Sequence, residues 1–305
     1  MLLSILANLI GLYSLISLPL IVTSTIDLTG EVDLIKSVYR QEAPYRLNNG
    51  SLGVKLTAVS AMVVDKKTGS VLWQKNPAEA RPLASLTKLL TALVFLDHNP
   101  GWETEITIQQ SDYREGGRIR IYNGERMYVR DLFNASLVAS SNNATAALAR
   151  STGLSEEEFA GAMNRKAAEL GMSDSEFFEP TGLDPANKST AVDIIKLAQA
   201  ALTNPFIIAA TSQPDYHFSI INAPRNYTLE NTDRLLNSYL KITSGKTGYL
   251  DEAGYCLVSS VQGGQGQEVL VVVLGSESED SRFAEVKALA QWAFDNYRWP
   301  SGNDH

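Results

Sequence analysis

The hydrophobic pattern divides the chain into blocks of different period. The first block, "MLLSILANLIGLYSLISLPLIVTSTI", runs to Ile26 without a charged side chain, and Asp27 is the first charge. That much apolar sequence is long enough to span a bilayer. It predicts an uncleaved anchor or a signal peptide, with Val22 and Ser24 small enough for the minus-three and minus-one positions of a cleavage site. A buried core helix is the third reading. No Lys or Arg precedes the block, so the charge rule for orientation has nothing to count there. Residues 27–55 are polar and irregular and read as a lead-in. "AVSAMVVDKKTGSVLWQKN" places two apolar runs around a Gly-containing turn, the pattern of a hairpin. "ASLTKLLTALVFLD" predicts an apolar helix opening at Ser85. "ITIQQSDYREGGRIRIYNGERMYVRDL" reads as short strands and turns. Helical spacing returns in "RDLFNASLVASSNNATAALAR", in "SEEEFAGAMNRKAAELGM" and in "STAVDIIKLAQAALTN". The second of these opens on Ser155 and Glu158, a capping box.

From about residue 217 the period shortens to that of strands: "HFSIIN", "RNYTLEN", "AGYCLVSSV" and "QEVLVVVLGS". The last two are joined by "QGGQGQ", too short for a crossover, so they pair antiparallel. A final helix at about 281–297 carries Phe283, Val286, Ala290, Ala293 and Tyr297 at helical spacing. The order is strands, helices, strands, helix. It predicts an α/β protein of the α+β type, with one antiparallel central sheet built from both ends of the chain. The terminal helix and a helical insertion flank that sheet. A cleft between sheet edge and helical part is the natural site.

Composition narrows the picture. With 305 residues, 44% hydrophobic and 20% charged, the chain can form one large domain or two small ones around a full core. A net charge of −8 without any basic run argues against a nucleic-acid partner. Cys256 is the only cysteine, so stability rests on the core rather than on disulfides. No cysteine adjoins the leader, which excludes a lipoprotein anchor. Cys256 lies in an apolar strand-like run and reads as a small core residue.

Ser85 and Lys88 open the apolar helix three residues apart. A serine cap followed by a solvated lysine is one reading. The other uses geometry: the two positions share a helix face, and a buried lysine is pressed toward its neutral form. A neutral amine beside a serine makes an activated nucleophile. Two further motifs favour this second reading. Ser140 and Asn142 form S-x-N, and Lys246, Thr247 and Gly248 form K-T-G. S-x-x-K, S-x-N and K-T-G in that order are the set of penicillin-binding proteins and class A β-lactamases. Each motif has decoys: Lys67-Thr68-Gly69 in the first hairpin turn, Ser141 and Asn143 one residue out of register, and Ser301 and Asn303 near the C-terminus. There is no G-x-S-x-G, and His98, His217 and His305 lack metal-ligand spacing. Neither a Ser-His-Asp triad nor a metal site is therefore expected.

The chain resembles the D-alanyl-D-alanine carboxypeptidase family, the low-molecular-mass penicillin-binding proteins of peptidase family S11. The resemblance spans roughly residues 56–297 and is carried by "ASLTKLLTAL", "ASSNNATAALA", "PTGLD" at 180–184, "SGKTGYLDEAGYCLV" and "SRFAE" at 281–285. It selects Ser140 and Asn142 over Ser141 and Asn143. It implies a β-lactamase/transpeptidase-like catalytic domain at 56–300, followed by a tail at 301–305. It also implies action without a cofactor on peptidoglycan stem peptides, and reaction with β-lactams. In that family pattern Ser85 is the nucleophile, Lys88 its base and Ser140 a proton relay. Asn142 holds the substrate backbone, Lys246 supplies positive potential, and Thr247 binds a substrate carboxylate. Gly248 leaves room for substrate along the strand edge. The backbone N–H groups of Ser85 and Tyr249 form the oxyanion hole. Arg282 stands near the mouth, where it attracts the terminal carboxylate from solvent; a surface salt bridge at a helix start is its other reading.

Two departures stand out. Tyr249 occupies a position where many members carry histidine. The chain also ends after the sheet-covering helix, so membrane attachment is expected through residues 1–26 and the location outside the cytoplasm. Rival readings are a DD-endopeptidase, a β-lactamase using Glu176 or Glu179 on the deacylating water, and a non-catalytic penicillin-binding sensor.

Overall fold

The computed structural model describes residues 42–116 and 121–300, together with a short antiparallel pairing of Thr25–Ile26 with Val32–Asp33. Apart from that pairing, the expected leader at 1–26, the lead-in up to residue 41 and the tail at 301–305 lie outside the described residues.

Five strands make the main sheet: β1 (Ser60–Asp65), β2 (Val71–Lys75), β3 (Lys241–Leu250), β4 (Gly254–Gln262) and β5 (Glu268–Ser276). Their spatial order is β3–β4–β5–β1–β2, and every pairing is antiparallel. The two ends of the chain meet where β5 pairs with β1, with Val271 opposite Val63. Successive side chains of β5 enter different cores. Val271 and Val273 face the terminal helix, whereas Leu270, Val272 and Leu274 face the helical insertion. A strand covered on both faces needs apolar residues at every position, which explains the unbroken run "VLVVVL". Each such buried aliphatic side chain stabilises the fold by roughly 2 kcal/mol.

Seven α-helices occur among the described residues: α1 (Thr87–Asp97), α2 (Val129–Leu137), α3 (Asn142–Ser151), α4 (Glu156–Glu169), α5 (Ala191–Ala201), α6 (Pro205–Thr211) and α7 (Glu279–Asn296). α7 covers one sheet face through Phe283, Val286, Leu289, Ala290 and Ala293. α1 is buried almost all round, as its apolar sequence predicts. Both bonds of the Ser155–Glu158 capping box are formed. No single helix among the described residues is long and apolar enough to cross a membrane.

The structure differs from the sequence expectation in five places. The strands expected around 217 and 226 are Asp215–Ser219 and Asn226–Glu230, which pair antiparallel in a separate two-stranded sheet rather than joining the main one. The helix expected from Ser85 begins as a 3₁₀ turn at Ala84–Leu86 and becomes α-helical at Thr87, without any side-chain cap. The helix expected over 130–150 is two helices, broken at residues 138–141. There the Ser141 hydroxyl accepts from the Ala144 N–H and starts α3 afresh. Apolar spacing runs through the break because Val138 and Ala139 are buried as well. In the same way the helix expected over 189–204 ends at Ala201. Asn204 then caps α6 by accepting from Phe206 and Ile207. Finally, residues 42–55 are not a free lead-in. Tyr45–Arg46 pairs with Tyr297–Arg298, and the Ser51 hydroxyl accepts from the Trp292 indole at 2.7 Å. The compact unit accordingly starts at Glu42 rather than at 56.

Candidate active site

The edge strand β3, the turn before α1 and the loop between α2 and α3 enclose a cleft of about 530 Å³. Ser85, Ser140, Asn142, Thr247, Gly248, Tyr249 and Arg282 all line it. Lys88 and Lys246 lie buried beneath, at 0% and 1% exposure. The nine residues that the family resemblance assigns to the site are thus brought to one place.

Ser85 sits on a strained turn. Ala84 before it has φ +49°, a left-handed conformation that costs an alanine energy. Gly182 presses on that turn: a Cβ at 182 would lie 1.9 Å from the Ala84 carbonyl oxygen. Only glycine fits, and the contact holds the strained turn in place. Lys88 Nζ then reaches three oxygens: Ser85 Oγ at 2.8 Å, Asn142 Oδ1 at 2.8 Å and the Thr181 carbonyl at 2.6 Å. The Asn142 amide is oriented by donating Nδ2 to the Glu115 carbonyl at 3.3 Å. Burial lowers the Lys88 pKa to about 7, and the nearby Glu179 carboxylate opposes that shift. In its neutral form the amine has two N–H donors and one lone pair. Asn142 Oδ1 and the Thr181 carbonyl can only accept. They take both donors and leave the lone pair aimed at the Ser85 hydroxyl.

Ser140 lies in the break between α2 and α3 at φ +57°. Its hydroxyl receives a bond from Lys246 Nζ at 2.9 Å, and the ammonium also donates to the Thr247 carbonyl at 3.1 Å. Burial, followed by the positive charges of Lys88 and Arg282, holds the Lys246 pKa well below its ordinary value, while Asp233 opposes. The decoy residues are engaged elsewhere. Ser141 caps α3, and Asn143 accepts from the Arg114 N–H and donates to the Ile121 carbonyl.

On the K-T-G strand, Thr247 donates to Thr232 Oγ1 at 2.6 Å. Gly248 lets β3 pass close to the serine turn: a Cβ there would meet the Leu83 carbonyl at 2.9 Å and Ser85 N at 3.2 Å. Tyr249 is 48% exposed, packs its ring at a tilt against Tyr255 with centroids 4.3 Å apart and donates its hydroxyl to Asp251. β3 is the outer strand of the sheet, so alternate backbone N–H and C=O groups of its free edge face the cleft.

Arg282 departs from both of its sequence readings. It is neither a solvent-facing attractor nor a surface ion pair, for it is only 5% exposed. Its guanidinium donates to the Gly248 carbonyl at 3.0 Å and to Glu279 at 3.1 Å, with the Phe283 ring 4.7 Å away. The cause is α7: its first turn packs Arg282 against the end of β3, so the charge supports the strand from inside. A buried charge is screened little by salt.

Sequence reasoning assigned no role to three contributors, Thr181, Thr232 and Asp233, and weighed a fourth, Glu179, only for a different role. Thr181 supplies a carbonyl to Lys88, Glu179 holds the turn around Thr181, Thr232 meets Thr247, and Asp233 lies behind β3. Asp233 is 2% exposed, and one of its carboxylate oxygens sits 2.6 Å from where a Gly245 Cβ would be. Burial pushes its pKa up to about 6. "ENTDRLL" at 230–236 carries no motif that announces these contacts, although its polar residues flank a strand hairpin and precede β3. Of the two glutamates weighed for water activation, Glu179 accepts from the Thr181 and Gly182 N–H groups, and Glu176 is exposed and is not among the residues that line the cleft.

A helix-capped antiparallel sheet with a serine–lysine pair at its edge defines the β-lactamase/transpeptidase-like class. A model of the D-alanyl-D-alanine carboxypeptidase family matches residues 46–278, and the chain belongs to that family, peptidase S11. Over 243 residues it is 35% identical to a D-alanyl-D-alanine endopeptidase of Pseudomonas aeruginosa, covering 78% of this chain and 77% of that protein. It is 32% identical to the D-alanyl-D-alanine carboxypeptidase DacF of Bacillus subtilis, covering 79% of this chain and 63% of that one. The crystal structure of the Streptomyces K15 DD-transpeptidase superposes with a TM-score of 0.75 at 27% identity, covering 80% of this chain and 100% of that chain.

Proposed function

We propose that the protein is an exported serine-type D-Ala-D-Ala carboxypeptidase that trims peptidoglycan stem peptides and is acylated by β-lactams. The carrying observation is the buried Lys88 amine 2.8 Å from Ser85 Oγ, with Asn142 Oδ1 and the Thr181 carbonyl as its two other contacts. In this reading Lys88 takes the Ser85 proton as Oγ attacks the carbonyl of the penultimate D-alanine. The backbone N–H groups of Ser85 and Tyr249 stabilise the oxyanion. Ser140, bonded to Lys246, passes a proton to the departing D-alanine nitrogen. The C–N bond breaks, and water then releases the acyl group from Ser85. Thr247, with Thr232 beside it, binds the terminal carboxylate in the field of Lys246 and Arg282. Asn142 holds the substrate backbone, which lies along β3 as an added strand. The domain from 42 to 300 carries this chemistry, and residues 1–26 direct export as a signal peptide or stay as the anchor.

The test uses a fluorescent penicillin and a D-Ala-D-Ala-terminated pentapeptide. Wild type should be labelled covalently and release D-alanine, and Ser85→Ala should lose both activities while melting at the same temperature. Labelling that persists in Ser85→Ala would place the nucleophile elsewhere. A second reading, DD-endopeptidase, is favoured by the 35% and 32% identity to proteins named D-alanyl-D-alanine endopeptidase. Mass analysis of products from a cross-linked muropeptide separates the two: cleavage of the cross-link in preference to the pentapeptide selects the endopeptidase.

A further inference from the structure

The turn that follows Glu179 supplies one of the three contacts to Lys88, and a single carboxylate organises it. Glu179 Oε2 accepts from the Thr181 N–H at 2.7 Å and the Thr181 hydroxyl at 2.6 Å. Oε1 accepts from the Gly182 N–H at 2.5 Å, the Asn187 amide at 3.1 Å and the Asp184 N–H at 3.4 Å. Asn187 in turn accepts from the Phe178 N–H at 2.7 Å and donates to the Glu179 carbonyl at 2.8 Å. The carboxylate therefore fixes Thr181, whose carbonyl lies 2.6 Å from Lys88 Nζ. It also fixes Gly182, whose backbone presses on Ala84 next to the nucleophile. With its oxygens turned onto these donors, it is not placed to activate water in the cleft.

Charge adds to position. Among the groups facing Lys88, Ser85, Asn142 and Thr181 are uncharged. Lys246 faces it from β3 as a second amine, whose protonated form repels a charge on Lys88, and Glu179 faces it as a carboxylate. Asp184 meets Glu179 only through its backbone N–H.

We propose that Glu179 is a positioning residue of this site: it places the Thr181 carbonyl that holds Lys88, and its negative charge raises the pH at which the buried Lys88 becomes a base. This rests on the assignment of Lys88 as the base for Ser85. The sign follows from linkage. An anion favours the ammonium form, so removing it lowers the pKa of Lys88. The neutral base then exists at lower pH, and the acid limb of the acylation profile moves down.

The experiment measures the rate of acylation by a fluorescent penicillin against pH in the full chain. Wild type should show an acid limb centred near the Lys88 pKa of about 7. Glu179→Gln keeps the shape and removes the charge. Its limb should move down by roughly one pH unit. Its plateau should fall by about tenfold, because the amide turns an N–H₂ group toward backbone donors. Glu179→Asp keeps the charge and retracts it by one methylene, so its limb should stay in place while its plateau falls. A folded Glu179→Gln with an unmoved limb would overturn the proposal. If Glu179→Gln does not fold, a Glu179→Asp enzyme as fast as wild type would overturn it instead. A wild type that penicillin does not acylate would overturn the function reading and this inference together.

Discussion

The tripeptide Lys-Thr-Gly occurs twice, at 67–69 and at 246–248, and the two copies do different work. The first is a hairpin turn between β1 and β2. Lys67 is exposed, Gly69 has φ +72°, and Thr68 donates its N–H and hydroxyl to Asp65. Here threonine and glycine serve the turn and lysine serves solubility. The second copy is extended on the edge of the sheet. Lys246 is 1% exposed and bonded to Ser140, Thr247 is bonded to Thr232, and Gly248 lies against the turn that carries Ser85. The same three side chains are a turn where water surrounds them and a binding edge where two other segments converge on them. What separates the copies is long-range packing, which no local window of sequence contains.

Truncating the lysines should give the widest separation. Lys246→Ala removes a buried amine from Ser140 and the cleft. The acylation rate by penicillin should fall by about 100-fold or more, the scale of losing an electrostatic contact in a water-poor site. Lys67→Ala should leave acylation unchanged and stability within about 0.5 kcal/mol. Comparable losses in both variants, measured with matched protein concentrations, would remove the distinction between edge and turn.

The glycines separate the copies by kind as well as by size. A methyl group at 248 meets the Leu83 carbonyl at 2.9 Å, so Gly248→Ala must push β3 away from Ser85. Acylation should drop by roughly tenfold, because small misplacement of reacting groups is expensive. Gly69→Ala meets no backbone but forces an alanine to φ +72°. It should cost about 1 kcal/mol of stability with no change in acylation. Urea unfolding and the acylation assay together check the pair, and a Gly248→Ala enzyme of full activity would contradict the close approach of strand and serine turn.

The contrast also explains what was legible from sequence. Four strands of the main sheet could be read because they form two pairs of apolar runs with short connections, and the antiparallel pairing of β4 and β5 followed from loop length alone; the runs near 217 and 226 read alike but pair with each other in a sheet of their own. The three motifs could be read because S-x-x-K, S-x-N and K-T-G need particular side chains at fixed spacing. The break at 138–141 could not, since Val138 and Ala139 continue the buried stripe while Ser141 silently takes over as a cap. Nor could the contact of Thr181 with Lys88, which is made by a backbone carbonyl. Arg282 was read as a charge near the mouth or on the surface, and its burial was not legible because the sequence shows the start of α7 and not the strand end packed on it. Asp233 reads as one more polar loop residue, and its burial is decided by Gly245, Ser259 and α7, all distant in sequence.

That aspartate supplies the smallest and most discriminating test, because each Lys-Thr-Gly copy has a buried aspartate beside it. Asp65 is 1% exposed and fully engaged: Thr68 N–H at 2.8 Å, Thr68 hydroxyl at 2.6 Å and the Trp299 indole at 2.7 Å all donate to it. Asp65→Asn turns an N–H₂ group toward those donors and should destabilise the fold by about 1–3 kcal/mol at pH 8. Asp233 has the Leu235 N–H on one oxygen at 3.0 Å, while the other lies over Gly245. Burial outweighs the attraction of Arg282 and Lys246 and raises its pKa from 3.8 to about 6. A carboxyl raised in the folded state contributes its full stability below the unfolded pKa and loses it as pH rises through the folded one. The folded protein therefore carries a charge penalty above about pH 6 that is absent below 3.8. An asparagine at 233 keeps the acceptor for Leu235 and never ionises. Asp233→Asn should stabilise the protein at pH 8 by on the order of 1–2 kcal/mol, and the advantage should fade as pH drops from about 6 toward 4. Urea midpoints at pH 8 and pH 4 read both substitutions. Opposite signs at pH 8 are expected for the two aspartates, and a destabilised Asp233→Asn at pH 8 would mean that its charge is better compensated by the two buried cations than its burial implies.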